Sequence, residues 1–217
     1  MKPLNYYMRK PHTPLEGRMI PSLIRGIQCE FHSGSSVFSK GRIDPGTHAL
    51  IETAFDVGSE AGFDTQDKKV LDLGCGIGAV GIFMLRRFPR ARLTFSDVNT
   101  RALKLTRENI RRNVAVARHG LNKEQGPKVL ESDGYATLSD ASFDLVLLNP
   151  PQHAGRETCL RLIDGTFNHL NPGGVLLLVA RHQRGGKTLQ AHMHVRFGNA
   201  KSVHKSGVFR VYASSKQ

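Results

Sequence analysis

Short apolar runs alternate with amphipathic stretches along most of the chain beyond residue 68. An uninterrupted apolar run is typical of a strand that is buried on both faces, as in a parallel sheet covered by helices. The five runs of this kind are KVLDL (69–73), RLTFSD (92–97), PKVLESD (127–133), FDLVLLN (143–149) and GGVLLLVA (173–180). Helices are predicted between them at 79–88, 99–118 and 155–170. The alternation predicts an α/β fold built on an open, doubly wound, mostly parallel sheet.

The last part of the chain predicts two more strands. AKSVHKS (200–206) and GVFRVYASS (207–215) are joined tightly enough to form an antiparallel hairpin. We expect this hairpin at one edge of the sheet, which then has seven strands.

The first part of the chain has a different pattern. IRGIQCEFHS (24–33) alternates apolar and polar residues with a period of two, which indicates a strand with one exposed face. A helix is predicted from Asp44, because Asp is a good N-cap and Pro45 suits the first helical position. Residues 1–24 are Pro-rich and weakly patterned, so we expect a basic arm there and a single domain over 25–217.

Positive charge is concentrated in the middle of the chain. The sequence has 31 Lys and Arg against 18 Asp and Glu. Between Arg86 and Lys128 there are twelve Lys and Arg and three acids, and the predicted helix 99–118 carries much of this excess. A large positive field favours a polyanionic partner, because it attracts and neutralises phosphates. A polyanion is therefore the expected class of partner.

The spacing of the cysteines and the length of the apolar runs indicate the cellular compartment. The three cysteines, Cys29, Cys75 and Cys159, form no CxxC pair, which argues for a reducing compartment and against a zinc site. The N-terminus has no apolar region typical of a secretory signal, and the run VLLLVA (175–180) is too short to cross a bilayer. We expect a cytoplasmic protein that does not span a membrane.

The stretch VLDLGCGIGAVG (70–81) places Gly74, Gly76 and Gly78 between a strand and a helix. Glycine permits a tight turn and a close approach by a ligand, and the helix N-terminus offers free N–H groups. The same letters fit G-x-G-x-x-G, a dinucleotide fingerprint that is weak when it stands alone. Asp72 at the strand end would repel a pyrophosphate, so a ligand with a cationic head group suits this turn better.

Two more acids lie at the ends of the next two predicted strands. Asp97 follows the glycine turn by about twenty residues, a spacing that suits a carboxylate gripping ribose hydroxyls. Asp133 ends the third strand and would lie on the adenine side of the same ligand. Three acids on consecutive strand ends indicate one nucleoside-binding edge.

An unusual strand end is found at LLNPPQHAG (147–155), where two prolines directly follow Asn149. Prolines fix φ and free the preceding carbonyls from ladder bonding. The Asn149 side-chain oxygen and the Pro150 carbonyl would then form a rigid pair of acceptors. Such a pair suits an amino or amide nitrogen with two N–H donors, whose lone pair it would aim at an activated electrophile.

Two other motifs give only weak indications of function. RGGKT (184–188) resembles part of a P-loop, but the first glycine of that motif would fall at Arg181. His192 and His194 do not share a helix face, and no further ligand completes a set, so no metal is predicted.

These stretches together resemble class I S-adenosylmethionine-dependent methyltransferases. VLDLGCGIGAVGI resembles their first motif, SDVN the acidic end of the second strand, and NPPQHAG the motif of amino-group methyltransferases. VFSKGRIDPGTHALIE (37–52) and KSGVFRVYAS (205–214) resemble the methyltransferase small domain group, which includes guanine-N2 methyltransferases of small-subunit ribosomal RNA. The resemblance covers about residue 24 to the C-terminus and implies a Rossmann-like methyltransferase fold with S-adenosylmethionine as cofactor.

The resemblance also implies roles for residues. The three glycines would pass under the amino-acid part of the cofactor, with Asp72 near its ammonium group. Asp97 would hold the ribose hydroxyls, Val98 would lie against the adenine, and Asp133 would take the adenine amino group. Asn149 and Pro150 would hold the target nitrogen. Phe38 and Thr47 would help to close the site.

One departure leaves the substrate open. Many enzymes with an Asn-Pro-Pro motif have an aromatic residue next, which stacks on a flipped base, but this chain has Gln152. Guanine N2 of small-subunit ribosomal RNA is the expected target. The alternatives are adenine N6 and a glutamine side-chain amide, and, from other classes, a nicotinamide-binding oxidoreductase or a non-catalytic RNA-binding relative.

Overall fold

The computed structural model describes residues 17–34, 42–114, 126–151 and 155–217. The strands are β1 (Arg18–Ile24), β2 (Ile27–Ser33), β3 (Lys69–Leu73), β4 (Arg92–Asp97), β5 (Lys128–Glu131), β6 (Phe143–Leu148), β7 (Leu170–Arg181), β8 (Lys201–Ser206) and β9 (Phe209–Ser215). The helices are α1 (Pro45–Glu60), α2 (Ala79–Arg87), α3 (Thr100–Val114), α4 (Arg156–His169) and α5 (Lys187–Phe197), and an irregular turn, His182–Gly186, joins β7 to α5.

Seven strands form one sheet in the order β5-β4-β3-β6-β7-β9-β8. The first five are parallel to one another, whereas β9 is antiparallel to β7 and β8 is antiparallel to β9. The predicted fold class is therefore confirmed, including the hairpin at one edge. Strand order reverses between β3 and β6, and open α/β sheets bind ligands at such a switch point, outside the carboxyl ends of the strands.

Helices cover both faces of the sheet, as the alternation within its central strands requires. In β3, Val70 packs with the cluster under α1, α2 and α3, while Leu71 packs with the cluster under α4 and α5. In β6, Leu145 and Val146 divide in the same way. Burial on both faces explains why these strands read as continuous apolar runs.

Helix α1 begins as predicted. The Asp44 carboxylate accepts the N–H groups of Gly46 and Thr47 at 3.0 and 3.1 Å, and Pro45 is the first helical residue. Because α1 begins beside the carboxyl end of the sheet, its first turn contributes side chains to the edge at which a ligand would bind.

The arm predicted for residues 1–24 is wrong for its last part, because Arg18–Ile24 form strand β1 and pair with β2. Pro21 weakened the strand signal, but in a two-stranded ribbon one edge of each strand has no ladder partner and tolerates proline. Residues 1–16 and Phe38 lie outside the described residues. No helix in the described ranges is long and apolar enough to cross a membrane.

Candidate active site

The glycine turn and the Asn-Pro-Pro segment leave the sheet side by side. Strands β3 and β6 are neighbours, and their last paired residues are Leu73 and Leu148. The next residues in the chain are Gly74 and Asn149, so the two predicted motifs begin at the same level of the same edge. The register therefore brings two predicted groups together at the switch point. One is the glycine turn, predicted to bind the cofactor, and the other is Asn149, predicted to hold the target nitrogen.

The glycine turn has the open backbone that a closely bound ligand needs. Gly74, Gly76 and Gly78 have φ values of 70°, 57° and 82°. A Cβ added at Gly74 or Gly76 would meet nothing within 4 Å. Space for a ligand is therefore present directly over the backbone, and the fit of a cofactor's amino-acid part to this turn is good. At Gly78, by contrast, a Cβ would lie 2.9 Å from Thr106, so this glycine also allows α2 and α3 to pack closely.

Asp72 lies under the turn and is 3% exposed. Its carboxylate accepts the N–H of Gly81 at 2.9 Å in the first turn of α2. Burial raises the pKa of Asp72 to about 7, with a further contribution from Asp97. Burial disfavours the ionised form of this carboxyl group, and a nearby cation would stabilise that form.

Asp97 ends β4 and connects it to the glycine turn. One carboxylate oxygen accepts the N–H of Gly76 at 2.9 Å, and the other accepts the N–H of Asn99 at 2.8 Å. Burial raises the pKa of Asp97, and the two backbone bonds oppose that shift. A carboxylate oxygen has two acceptor positions, so each can still accept a ribose hydroxyl. Val98 follows and is partly exposed at the same edge.

Asp133 lies two residues beyond the end of β5. The chain stays close to Asp97 at this point, because the Ser132 N–H donates to the Asp97 carbonyl at 3.0 Å. The Asp133 carboxylate is exposed and accepts a bond from Arg161 at 2.7 Å. The structure therefore places Asp133 near the predicted ribose site with one oxygen already bonded to an arginine.

Asn149 is held by a chain of side chains from α1. The Asn149 amide nitrogen donates to the Thr47 hydroxyl oxygen at 3.0 Å, and the Thr47 hydroxyl donates to the Asp44 carboxylate. Because the amide nitrogen is the donor in this bond, the amide oxygen is left as the acceptor. Thr47 is 6% exposed, so water competes little with these bonds. Asp44 thus has a role beyond helix capping that the sequence did not suggest.

The C-terminal hairpin closes the same side of the site. Phe209 pairs with Arg181 in the sheet, and its ring lies so close to Gly46 that a Cβ there would be 2.8 Å away. Gly46 precedes Thr47, so Phe209 packs beside the hydrogen-bonded side chains that orient Asn149. In the sequence, only the resemblance of residues 205–214 to a known motif pointed to this segment. It did not indicate that Phe209 contacts Gly46.

Comparison with known proteins shows the family to which the chain is similar. The family model for the methyltransferase small domain matches residues 28–213. Ribosomal RNA small subunit methyltransferase C of Haemophilus influenzae is 30% identical over 214 residues, which cover 96% of this chain and 54% of that protein. The protein YbxB of Bacillus subtilis is 27% identical over 213 residues and matches over 98% of both chains.

A solved structure supports the fold. A 16S rRNA N2 methyltransferase (RsmC) of T. thermophilus, in complex with AdoMet and guanosine, superposes with a TM-score of 0.75 at 24% identity. The match covers 95% of this chain and 52% of that one. The chain therefore spans about half the length of these two methyltransferase C relatives.

The fold is an α/β sheet whose switch point brings the glycine turn and Asn149 together. The chain belongs to the methyltransferase small domain family. This family confirms the predicted class, an S-adenosylmethionine-dependent methyltransferase, and with it the predicted cofactor. It also excludes the alternative of a nicotinamide-binding oxidoreductase.

Proposed function

We propose that the protein methylates an exocyclic amino group of RNA, and that guanine N2 of small-subunit ribosomal RNA is the target. The observation that carries the proposal is the orientation of Asn149 beside the glycine turn. Its amide oxygen is available as an acceptor because its nitrogen is bonded to Thr47.

The target nitrogen would be held by two acceptors. The Asn149 side-chain oxygen and the Pro150 carbonyl would each accept one N–H of the amino group, which turns the nitrogen lone pair away from them. When bound, S-adenosylmethionine supplies a methyl group on a positively charged sulfur, an electrophile that needs no strong base. Positioning of this kind contributes about 7–11 kcal/mol when alignment is good.

The cofactor would be held across β3, β4 and β5. Gly74, Gly76 and Gly78 would lie under its amino-acid part, with the Asp72 carboxylate beneath them near the ammonium group. Asp97 would accept the ribose hydroxyls.

The adenine would lie at the far end of this site. Val98 would contact the ring, and Asp133 would accept the amino group. Thr47 lies on the target side and, in this proposal, positions Asn149 and does not contact the cofactor.

RNA is favoured over other nitrogen-bearing substrates by two facts. The chain has a formal net charge of +13, and an RNA backbone is the polyanion that such a field attracts. The relative from Haemophilus influenzae is named as a ribosomal RNA methyltransferase, and the T. thermophilus structure contains guanosine. A base must leave its stack to be methylated, so an accessible loop of structured RNA is the expected substrate.

The test is transfer of a tritiated methyl group from S-adenosylmethionine to three substrates in parallel: small-subunit ribosomal RNA, assembled small subunits, and total protein. Labelled RNA is then digested and its nucleosides are separated. We expect label in N2-methylguanosine. Label in N6-methyladenosine would overturn the choice of base, and label in protein alone, on glutamine, would overturn RNA as substrate.

A further inference from the structure

The end of the chain has an unusual charge composition. Residues 165–217 contain no Asp or Glu. The same segment contains eight Lys and Arg residues: Arg181, Arg184, Lys187, Arg196, Lys201, Lys205, Arg210 and Lys216. The segment therefore has no acid of its own with which these cations could pair.

Acids pair with several cations in the rest of the described structure. Ion pairs with nitrogen–oxygen distances of 2.5–3.2 Å join Arg25 to Asp56, Arg87 to Asp64, Arg92 to Asp67, Arg112 to Glu30 and Arg161 to Asp133. By contrast, Arg181, Lys187 and Lys205 have no carboxylate partner in the ranges that the structure describes. The C-terminal segment therefore contributes cations that no carboxylate of the described residues holds.

Five of the eight cations lie at the carboxyl edge of the sheet, on the side of Asn149 that is formed by β7, β9 and β8. We call them the basic rim: Arg181, Arg184, Lys187, Lys205 and Arg210. Strands β6 and β7 are parallel and pair Leu148 with Leu178, so Arg181 lies just beyond the level of Asn149. In the hairpin, Arg181 pairs with Phe209 and Lys205 pairs with Arg210, which brings β8 and β9 to the same edge.

The irregular turn at 182–186 and the first turn of α5 complete the basic rim. Partial burial, together with the positive charges of Arg210 and Lys187, lowers the pKa of His182. The His182 N–H donates to the Val208 carbonyl at 2.9 Å, so the turn that precedes Lys187 lies against the tip of the hairpin that carries Arg210.

Apolar and aromatic groups lie within the basic rim. The Arg181 guanidinium lies 5.5 Å from the centre of the Phe209 ring. Val208 at the tip of the hairpin is 64% exposed. Cations interleaved with an aromatic ring are typical of surfaces that bind single-stranded RNA, where phosphates and unstacked bases are both accessible.

We propose that the basic rim is the surface on which the RNA backbone docks, so that the target nucleotide reaches Asn149 over the ends of β6 and β7. This inference rests on the proposed function and adds the direction from which the substrate approaches. It leaves the opposite half of the edge, over β3, β4 and β5, to the cofactor.

The position of the basic rim corrects the emphasis that the sequence placed on the basic helix. Helix α3 begins at the end of β4 and runs away from the edge for 15 residues, or about 22 Å at 1.5 Å per residue. Arg111 and Arg112 are in its last turn, at the opposite end of the sheet from Asn149, and Arg112 is paired with Glu30. A nucleotide bound at Asn149 would bring its own phosphates to the basic rim rather than to these arginines.

The test compares two double variants that each remove two exposed positive charges. The first, Lys187→Ala with Lys205→Ala, changes the basic rim. The matched control, Arg111→Ala with Lys201→Ala, changes the last turn of α3 and the start of β8, which lies at the other end of the hairpin. Lys201 and Lys205 both lie on the edge strand β8, where lysines oppose pairing with another chain. Each double variant removes one of them, so a loss of binding confined to the rim variant would not be due to that role.

Binding is measured by fluorescence anisotropy with a labelled fragment of small-subunit ribosomal RNA over a series of salt concentrations. We expect the rim variant to bind about tenfold more weakly or worse, and its log–log salt slope to fall by about 1.4 to 1.8, which corresponds to two lost phosphate contacts. The control should lose clearly less of both. Equal losses in the two variants, or no loss in the rim variant, would overturn the docking surface.

Methyl transfer, measured on the same proteins, separates this inference from the proposed function. We expect the rim variant to have a raised KM for RNA with a nearly unchanged kcat. A wild-type protein that binds RNA at the basic rim but methylates none of it would overturn the proposed function and leave the surface standing. A wild-type protein that methylates RNA with no difference between the two variants would do the reverse.

Discussion

At the scale of single residues, Asn149 depends on a side chain from another element for its orientation. An isolated amide can turn so that either its oxygen or its nitrogen faces the target, and the two states present opposite hydrogen-bonding groups. The bond to Thr47, which is itself bonded to Asp44, selects the state with the oxygen available. Thr47 and Asp44 are therefore positioning residues in the proposed reaction.

Replacement of Thr47 by valine removes this bond with little change in shape. We expect kcat for methyl transfer to fall about tenfold or more, which corresponds to the roughly 1–3 kcal/mol at stake when a buried polar group loses its partner. The affinity for S-adenosylhomocysteine, measured by calorimetry, should change little. Thr47→Ser keeps the hydroxyl and should restore most of kcat. A serine variant as slow as the valine variant would contradict the orienting role.

Asp72 provides a prediction about pH. Its pKa is raised in the folded protein, so the folded state keeps a proton that the unfolded chain releases as the pH rises above about 4. Stability therefore falls as the pH rises from about 4 to about 7 because of this group. Asp72→Asn can still accept the Gly81 N–H and should reduce that fall. Urea unfolding of both proteins at about pH 5 and about pH 8 tests this, and parallel pH profiles would contradict it.

At the scale of elements, the hairpin β1–β2 is joined to the cofactor side by two asparagines of α3. Asn109 is fully buried, and its amide exchanges bonds with the backbone of His32 at 2.7 and 3.0 Å while also donating to the Ile77 carbonyl in the glycine turn. Asn113 bonds the backbone of Glu30 in the same way. The hairpin, α3 and the glycine turn thus share one network.

We expect Asn109→Ala to reduce the free energy of unfolding by about 2–4 kcal/mol, because it leaves buried backbone groups of two elements without partners. Lys104→Ala, an exposed change on the same helix, serves as the control and should have an effect within about 0.5 kcal/mol. Urea denaturation of both variants provides the comparison. A loss in the asparagine variant no larger than in the control would show that these bonds are replaced by water.

The elements differ in how far the sequence could predict them. Strands such as β3 and β6 were predictable because burial on both faces leaves an apolar run, and the start of α1 was predictable because Asp44 and Pro45 have local preferences. Strand β1 was not, because Pro21 breaks the local pattern and its pairing with β2 is what makes it a strand. Likewise, nothing local in the sequence links Thr47 to Asn149, which are neighbours only through the sheet.

At the scale of the whole molecule, the switch point divides the carboxyl edge into two halves with different properties. Over β3, β4 and β5, glycines and buried carboxylates suit a neutral ribose and a cationic head group. Over β6, β7 and the C-terminal hairpin, the five cations of the basic rim suit a phosphate backbone. The sequence alone drew attention to the basic stretch around α3, because charge counted along the chain does not reveal at which end of the sheet each cation lies.

The most direct test of the central claim is a comparison of Asn149→Ala with Asp97→Ala. In each protein, single-turnover methyl transfer to RNA is measured together with the Kd for S-adenosylhomocysteine. If Asn149 holds the target nitrogen, its replacement should slow transfer about 100-fold or more, as loss of a positioning group does, and leave Kd within about twofold, whereas Asp97→Ala should weaken cofactor binding about tenfold or more. Equal loss of cofactor affinity in both variants, or unimpaired transfer by Asn149→Ala, would contradict the account.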